Sequence, residues 1–396
     1  MMKREAVFLK IWLSIFCTSL ATFLLLMSLS AVVITRTGSA ALANIVVLTQ
    51  WIPAVLALPL IRSLVARRNA RQLLVQAEFG AVLSIVLIPV AIDNTFAMLA
   101  LLIAKGTFDN LSKVSRPVAL KQLFDGSDLA RAASYYNTAM LVGGGVGSLI
   151  GAALLGRLAL GTIVAVCCAL HVLSAVIYLT VRERRPADRA AASGATSTPT
   201  SEQEIWQAIV YFVASVALFQ GFHNIARSVF AVHQMHMAST GIPILQAVTN
   251  GAYVIGAFVA ARVSLEKGRY AMAAVLSHVF ALLTLLPLVV VTGEQAGVFA
   301  YGVFAFGFEL AYCVHLRYLI LAVPGERLPR VMANANAWAL GLMLSFSIAG
   351  SFLAERVSFG SLAFGTGLVA VCVPIAIQIV KAVARREPIR FKGEAG

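Results

Sequence analysis

The stretch IWLSIFCTSLATFLLLMSLSAVVI, residues 11–34, decides the fold class, because it carries no charged residue from end to end. A helix needs about 20 apolar residues to cross a bilayer, whereas the apolar core of a signal peptide has only about 7–15. The stretch therefore predicts a membrane-spanning helix. Similar stretches recur along all 396 residues, of which 60% are hydrophobic and 12% charged. This composition excludes an ordinary soluble protein and a disordered chain.

Twelve such spans are predicted when the chain is cut at charged clusters and at turns rich in Gly, Pro, Asn and Asp. The spans are expected to be helices, because lipid offers no water to unpaired backbone groups and no alternating strand pattern is present. They lie near residues 8–34, 42–61, 72–91, 96–117, 133–156, 160–181, 205–231, 243–262, 270–291, 296–322, 332–354 and 359–381.

The positive charges predict the orientation of these spans. The net charge is +14, but Lys and Arg form short clusters between apolar segments, so we expect no nucleic-acid partner. The odd-numbered connections between spans contain only Arg36, Arg157 and Arg356, while the termini and the even-numbered connections hold most of the rest. By the positive-inside rule both termini are predicted to be cytoplasmic, in a multi-pass protein of the inner (plasma) membrane.

The one long polar stretch, residues 182–204, divides the chain into halves of six spans each. Its composition predicts a flexible cytoplasmic linker between bundles at 1–181 and 205–396. The two halves also resemble each other in sequence. DGSDLAR at 125–131 is similar to PGERLPR at 324–330, and each is followed by an asparagine at the same distance. We therefore predict an all-α membrane protein with twelve transmembrane helices in two pseudo-symmetric six-helix bundles.

Three sequence motifs resemble those of the major facilitator superfamily. In the basic loop after span 2, LVARRNAR at residues 64–71 keeps two arginines of the family pattern, Arg67 and Arg71, with Ala66 in place of the acid. Residues 117–132, with Asn137, resemble the macrolide-efflux and enterobactin-exporter-like branch. The resemblance implies the twelve-helix fold of this superfamily and the activity of a secondary transporter, not of an enzyme.

The third motif is the glycine-rich stretch of span 5, GGGVGSLIGA at residues 143–152. It is similar to the stretch that antiporter-type members carry, with Gly143 at its start and with the glycines of the pattern kept at Gly147 and Gly151. The glycines have a second reading that is compatible with the first. Small residues allow helices to pack closely in lipid, so the same positions predict a helix contact.

Polar side chains within the spans point to a site, because charges at membrane depth normally face a protein interior or a wet cavity. The resemblance implies that spans 1, 4, 7 and 10 line a central cavity. Span 1 carries only a stripe of hydroxyl groups. The candidate substrate-binding residues on the other three are Lys105, Lys113 and Arg116 in span 4; Gln220, His223, Asn224 and Arg227 in span 7; and Tyr312, His315 and Arg317 in span 10. Span 4 also carries Asp109, and span 10 also carries Glu309.

The carboxyl groups of Asp109 and Glu309 are both candidates for proton coupling, and the spacing of charged residues gives them different surroundings. Lys105, Asp109 and Lys113 recur every four residues and so share one helical face. Asp109 is therefore predicted to be a structural or gating partner of the lysines. Glu309 has no cation within one turn on its own helix, which makes it the preferred proton carrier.

Structural alternatives exist for several of these residues. Lys105 and Asp109 could form a purely structural pair, and the cations near span ends, Lys113, Arg116, Arg227 and Arg317, could reach to the interface instead. Outside the candidate set, His171 and His278 are predicted to be core histidines. Glu78 is expected near the cytoplasmic end of span 3, paired with a basic loop.

The balance of charges in the predicted cavity favours an anionic or zwitterionic substrate, with aromatic side chains holding its apolar part. No GxxxxGK[ST], HExxH or GxSxG motif occurs, so we predict no cofactor and no metal, and expect the energy to come from protons. The preferred hypothesis is a monomeric antiporter that exports a small siderophore-like metabolite. A broad-specificity drug exporter and a metabolite importer are alternatives on the same fold. A non-transporting receptor or scaffold is the alternative from another class.

Overall fold

The computed structural model describes residues 2–123, 126–155, 157–181, 201–238, 240–262, 269–324 and 327–386. Every regular element in these ranges is helical, and twelve helical segments coincide with the predicted spans. They are α1 (Met2–Thr37), α2 (three pieces, Ala40–Leu48, Ile52–Leu56 and Leu58–Arg67), α3 (Ala70–Val86 and Ile88–Ala91), α4 (Thr95–Leu123), α5 (Gly126–Leu154), α6 (Leu160–Thr180), α7 (Glu202–Gln234), α8 (Gly241–Arg262), α9 (Tyr270–Val290), α10 (Glu294–Ala322), α11 (Leu328–Leu353) and α12 (Phe359–Arg386).

Most of the predicted linker, residues 182–200, lies outside the described residues, as do residues 387–396. The last part of the predicted linker is helical, because α7 begins at Glu202 with the Ser201 hydroxyl accepting a hydrogen bond from the Glu204 amide. This is the usual N-terminal cap, in which a serine side chain satisfies a backbone N–H that has no partner within the helix.

Two of the helices are interrupted at prolines. In α2, Pro53 and Pro59 each stand in the first turn of a new short helix, and Pro89 does the same in α3. Proline lacks the backbone N–H and collides with the preceding turn, so a helix usually ends before it and can begin again at it. The continuous α7 instead contains two π-helical turns, Ser215–Gln220 and Phe230–Gln234, a distortion that is frequent at functional sites.

Nine helices of the described chain are long and apolar enough to cross a membrane. The other three are α2, which is broken into pieces, α4, which carries several charged side chains, and α5, whose described apolar part is the shorter helix Thr138–Leu154. The molecule is therefore a multi-pass membrane protein. In α4 the charged side chains lower the apolar character of the span, as charged groups with a functional role do at membrane depth.

The helix contacts repeat with a shift of six helices. In the first half α1 packs against α5 and α6, and α3 packs against α4 and α6. In the second half α7 packs against α11 and α12, and α9 packs against α10 and α12. The two halves thus form six-helix bundles with the same internal arrangement, as expected for a duplicated unit in which both copies have the same orientation.

Two glycines of the motif in α5 hold this helix directly against α1. A Cβ atom on Gly147 would collide with the carbonyl oxygen of Leu20, and one on Gly143 would lie 2.6 Å from that of Phe16. A Cβ atom on Gly151 would be 3.4 Å from the Ser28 hydroxyl, which is an ordinary contact. Gly143 and Gly147 therefore have a packing role in the structure, which Gly151 does not share to the same degree.

The bundles meet through α5 against α8 and through α2 against α7 and α11. We call the side where α1 begins and α12 ends the terminal side, and the opposite side, with Gly38 and Glu355, the far side. On the far side the Ser39 hydroxyl donates to Glu355 Oε1 at 2.6 Å, and Asn44 Nδ2 donates to Ser351 Oγ at 2.6 Å. These two hydrogen bonds join the halves, so the bundles are in contact at this end.

Candidate functional site: a cavity between the two bundles

A cavity of about 390 Å³ lies between the bundles, within the size range of small-molecule sites. Its lining comes from α1, α2, α4, α5, α7, α8, α10 and α11, so in the described chain every third helix stays outside it. The polar lining residues are Thr18, Ser19, Thr22, Gln50, Asp109, Lys113, Arg116, Gln220, His223, Arg227, Gln246, Asn250, Tyr253, Glu309, Tyr312 and Asn336.

The cavity begins in the middle of the helices and extends toward the terminal side. Arg116 stands near the end of α4 on that side, and Phe212 and Asn336 stand in the corresponding parts of α7 and α11. The predicted lining helices α1, α4, α7 and α10 are all present. The contributions of α2, α5, α8 and α11 were not expected from the sequence, and they double the number of helices at the site.

Lys105 and Asp109 form a buried ion pair on α4. Lys105 Nζ lies 2.5 Å from Asp109 Oδ2 and donates a further hydrogen bond of 2.9 Å to the Thr22 hydroxyl of α1. Lys105 is 1% and Asp109 6% exposed, and only Asp109 is among the cavity-lining residues. The pair therefore neutralises itself at the cavity wall and connects α4 to α1.

The ammonium group of Lys113 takes a different position from the one that its spacing suggested. It lies 4.6 Å from the centre of the Trp51 ring of α2, in a cation–π arrangement. In the described part of the chain no carboxylate lies within 4 Å of it. Lys113 thus brings a positive charge to the cavity that no acidic side chain neutralises.

Arg116 belongs both to the cavity and to a buried cluster behind it. Arg116 Nη2 is 3.5 Å from Glu78 Oε1, and Nε donates to the Tyr178 hydroxyl at 3.2 Å. Glu78 is 1% exposed and also accepts from the Thr18 hydroxyl at 2.8 Å and contacts His171 Nδ1 at 2.7 Å. The expected pairing of Glu78 with a basic loop is therefore not observed. Its partners lie on α1, α4 and α6, inside the first bundle.

On α7, Arg227 is the charged residue of the cavity wall. It is 2% exposed, and Nη1 donates to Gln246 Oε1 of α8 at 2.5 Å. Two turns nearer the terminal side, Gln220 accepts from the Tyr253 hydroxyl at 3.3 Å. His223 lines the cavity between them and contacts the Tyr301 hydroxyl through Nδ1 at 2.8 Å. Of the predicted polar stripe of α7, Gln220, His223 and Arg227 thus line the cavity.

Glu309 of α10 is the carboxyl group of the cavity wall that has no cationic partner. It is 8% exposed and lines the cavity, and the Cys313 thiol donates to its Oε1 at 3.3 Å. Throughout the described ranges no Lys, Arg or His comes within ion-pair distance of it. A carboxyl group placed in this way can take up and release a proton without breaking an ion pair.

Aromatic rings cover the wall around Glu309. The ring of Tyr253 contacts that of Phe308 edge to face, with centroids 5.6 Å apart, and Tyr312 packs against Phe212 at 5.9 Å. All four side chains line the cavity. They provide an apolar surface beside the charged groups, as an amphipathic ligand requires.

Besides Lys105, five of the predicted binding and loop-motif residues are not among those that line the cavity. Asn224 is buried, and its Nδ2 donates to the Ser347 hydroxyl at 3.4 Å. His315 donates from Nε2 to the Ala274 carbonyl at 3.0 Å and so belongs to the core between α9 and α10. The others are Arg317, which is half-buried, Arg67, which is exposed, and Arg71, which donates to the Leu179 carbonyl at 2.6 Å.

The two core histidines expected from the sequence are buried. His171 is part of the Glu78 cluster, and His278 Nε2 donates to the Ala370 carbonyl at 3.0 Å. The site residues that the sequence analysis missed are mostly uncharged. They include the amides Gln50, Gln246, Asn250 and Asn336 and the ring of Trp51, all of which line the cavity.

A cavity shared by two pseudo-symmetric six-helix bundles defines a membrane carrier. The sequence profile of the Major Facilitator Superfamily matches residues 11–332, and the chain belongs to this family. It is therefore a secondary transporter that binds a small-molecule substrate in a membrane, and it is not an enzyme. The predicted fold class, twelve helices in two bundles, is confirmed.

Solved structures show the same fold at low sequence identity. A bacterial homologue of the iron transporter ferroportin in an inward-facing state is 13% identical over 94% of this chain and 98% of that chain, with a TM-score of 0.72. The nucleoside transporter NupG is 11% identical over 94% and 99%, with a TM-score of 0.71. A bacterial homologue of the human lysosomal transporter Spinster, inward-facing and unoccupied, is 12% identical over 96% and 95%, with a TM-score of 0.62. No curated protein sequence matches the chain.

Proposed function

We propose that this transporter exports a small amphipathic organic molecule with an anionic or zwitterionic head group, such as a siderophore-like metabolite, in exchange for protons. The transport step is alternating access, in which the two bundles rock about the cavity. A single chain encloses the whole cavity, which supports a monomer as the working unit. The protein is expected in the inner membrane with both termini in the cytoplasm.

The observation that carries this proposal is the charge that remains on the cavity wall after internal pairing. Asp109 is neutralised by Lys105, and Arg116 lies beside Glu78. Of the cations that line the cavity, Lys113 and Arg227 have no acidic partner within 4 Å in the described chain, and Glu309 is the lining carboxyl group outside these ion pairs. A cavity with this balance attracts an anionic head group and repels a simple cation.

Proton coupling is assigned to Glu309. It lines the same cavity as Lys113 and Arg227. Within the described ranges its side-chain hydrogen bond is to the Cys313 thiol, and aromatic rings lie around it. In the proposed cycle, a proton from outside binds at Glu309 as the substrate leaves, and release of that proton on the inside restores the cavity for the next molecule. Asp109 is the second candidate, but its ion pair with Lys105 must break before it can take up a proton.

The direction of transport is inferred from the orientation and from the resemblance to exporters. If the positive-inside rule holds, the terminal side is the cytoplasmic side, and the cavity extends toward it. The far side is joined by the contacts of Ser39 with Glu355 and of Asn44 with Ser351. This arrangement suits loading from the cytoplasm, which is the first step of export.

The test has two stages. Comparison of metabolites that accumulate in a deletion strain identifies the cargo class. Purified protein is then reconstituted in liposomes that contain a pH-sensitive dye, and the identified compound is added to the outside. We expect substrate-dependent proton movement with the wild type and none with Glu309→Gln. Glu294→Gln, at the exposed start of the same helix, is the matched control and should behave as the wild type.

Other results select the alternatives. Movement of lipophilic cations with proton exchange would indicate a broad-specificity drug exporter. Uptake into right-side-out vesicles, with protons moving in the same direction, would indicate an importer. Unchanged pH dependence of transport in Glu309→Gln would contradict the proton assignment, and absence of flux for every accumulated compound would contradict the proposal of export.

A further inference from the structure

We propose that Arg227 and Asn250 form a receptor for a carboxylate group, at the point where the second bundle meets α5 of the first. This inference rests on the proposed function, since the carboxylate is taken to belong to the transported molecule. It goes further in naming the chemical group that is bound and the atoms that bind it.

The first observation is a set of buried donors without partners. Nε and Nη2 of Arg227 have no hydrogen-bond acceptor among the residues that the structure describes, although the side chain is only 2% exposed. The same holds for Nδ2 of Asn250, which is 4% exposed. Both side chains line the cavity. A buried donor without an acceptor costs free energy, and the cost is larger for a charged group, so a ligand that supplies acceptors is bound favourably.

The second observation is that the hydrogen-bond chain fixes which atoms are free. Arginine can only donate, so the atom of Gln246 that faces Arg227 Nη1 at 2.5 Å must be its carbonyl oxygen. The amide nitrogen of Gln246 then faces Asn250, at 3.5 Å from Oδ1. The end of Asn250 that remains is Nδ2, again a donor. The orientation of both amides therefore follows from the chemistry of the guanidinium group.

The unpaired groups of Arg227 and Asn250 are all hydrogen-bond donors, so a ligand at this place must supply acceptors. Arg227 Nε and Nη2 lie on one edge of the planar guanidinium group and can hold the two oxygens of a carboxylate side by side. Asn250 Nδ2 supplies a further donor from the neighbouring helix. Within the described ranges no carboxylate of the protein lies within 4 Å of Arg227. The pocket thus accepts an oxyanion and offers nothing to a cation.

The opposite bundle completes the pocket through a glycine. A Cβ atom on Gly144 of α5 would stand 3.1 Å from Asn250 Nδ2 and 3.0 Å from the ring of Phe23. On the neighbouring Gly145 it would stand 3.4 Å from Asn250 Cβ, an ordinary contact. The missing side chain of Gly144 therefore leaves room for the amide nitrogen of Asn250. Because α5 and α8 belong to different bundles, the shape of the pocket depends on the position of one bundle relative to the other.

The surroundings of the pocket indicate what the carboxylate is attached to. Phe23 and Tyr253 line the cavity beside Asn250, and Tyr253 contacts the ring of Phe308. Glu309 lies against Gly256, six residues further along α8 than Asn250, which is about 9 Å at the helical rise of about 1.5 Å per residue. An aromatic acid can thus bind its carboxylate at Arg227 while its ring lies between the anion receptor and Glu309.

The test is equilibrium binding to the purified full chain in detergent by calorimetry. Three probes of the same shape differ in charge: benzoate, neutral benzamide and cationic benzamidinium. We expect benzoate to bind more tightly than either of the others. In Arg227→Gln its affinity should fall by about tenfold to about a hundredfold, as expected for loss of hydrogen bonds to a charged group. Arg262→Gln is the matched control, since Arg262 is exposed on α8 and stacks on Phe258 outside the cavity.

Further variants keep the test decisive if Arg227→Gln does not fold. Asn250→Asp has nearly the same shape but introduces a negative charge into the receptor, and should lose benzoate binding at neutral pH. Gly144→Ala should weaken binding severalfold, whereas Gly145→Ala should not. Equal affinity for benzoate and benzamide, or benzoate binding that survives both Arg227→Gln and Asn250→Asp, would overturn the proposal.

These measurements need no gradient, so they separate this inference from the proposed function. Benzoate binding that depends on Arg227, in a protein that exchanges no protons for substrate, would contradict the proposed function and leave the receptor intact. Proton-coupled export of a compound without an acidic group would support the transport cycle and contradict the receptor.

Discussion

Replacement of Lys105 by methionine should destabilise the protein more than most single substitutions. The side chain is 1% exposed, its ammonium lies 2.5 Å from Asp109, and it also donates to Thr22. Methionine fills a similar volume but leaves a buried carboxylate without a partner. Breaking a buried pair on one side in this way costs about 3–5 kcal/mol. The cost of losing the hydrogen bond to Thr22 is included in that range, because the same ammonium group donates it.

A double substitution shows whether the unpaired charge is the cause. Lys105→Met with Asp109→Leu removes both charges, and replacement of a buried pair by apolar residues is often close to neutral. The double variant should therefore be more stable than Lys105→Met alone. The assay is the free energy of unfolding from denaturation with SDS in mixed micelles, followed by circular dichroism.

An exposed pair on the far side provides the comparison. Arg36 lies 2.7 Å from Asp93, with the two side chains 51% and 87% exposed. Loss of such a pair changes stability by at most about 1 kcal/mol, so Arg36→Met should unfold almost as the wild type does. Equal stability of Lys105→Met and Arg36→Met would refute the explanation by burial. So would a double variant that loses as much free energy of unfolding as the single variants Lys105→Met and Asp109→Leu lose together.

Three further predictions concern packing, gating and the buried cluster. Gly147→Ala should lower stability by about 1–3 kcal/mol because its Cβ meets backbone of α1, while Gly151→Ala should cost less in the same unfolding assay. Asn44→Cys combined with Ser351→Cys should form a disulfide under oxidation that stops transport, since it locks the far side, and a reductant should restore the flux. Glu78→Ala should abolish transport and reduce stability, because it leaves Arg116 without its acidic neighbour.

The disulfide experiment has a matched control, and each of the three predictions has an outcome that would contradict it. Cysteines at Ser358 and Ser361, whose hydroxyls are 2.9 Å apart at the start of α12, test oxidation within one bundle and should leave transport unchanged. Transport that continues with the far side cross-linked would show that this contact does not open during the cycle. Equal stability of the two glycine variants, or normal transport with Glu78→Ala, would contradict the other two predictions.

The sequence predicts the fold well because the length of an apolar segment is almost the only requirement that a membrane places on a span. It also predicts the ion pair of Lys105 with Asp109, since both lie on one helix at four-residue spacing. Contacts between helices are harder. Lys113 has the same spacing to Asp109, but its ammonium lies on a tryptophan of α2, which no local pattern could indicate.

Two kinds of error in the site have physical causes. His315 is on a cavity helix, but it is six residues from Glu309 and so points about 120° away from it around α10, toward α9. Glu78 was assigned by its distance from the end of its span, which says nothing about the histidine and arginine that neighbouring helices bring to it. A signal for α8 was present, because Gln246, Asn250 and Tyr253 share one helical face, but uncharged residues do not stand out in an apolar span.

The breaks in α2 bear on how the molecule could move. The piece Ala40–Leu48 packs against α1 of its own bundle and also against α7 and α11 of the other, while Leu58–Arg67 packs on α4 of its own. An uninterrupted helix with these contacts would have to move as one rigid body whenever the bundles separate at the far side. The prolines divide it into segments with two joints, so Ala40–Leu48 can follow its partners at the far side while Leu58–Arg67 stays on α4, and separation at the far side does not require a shift at the terminal side.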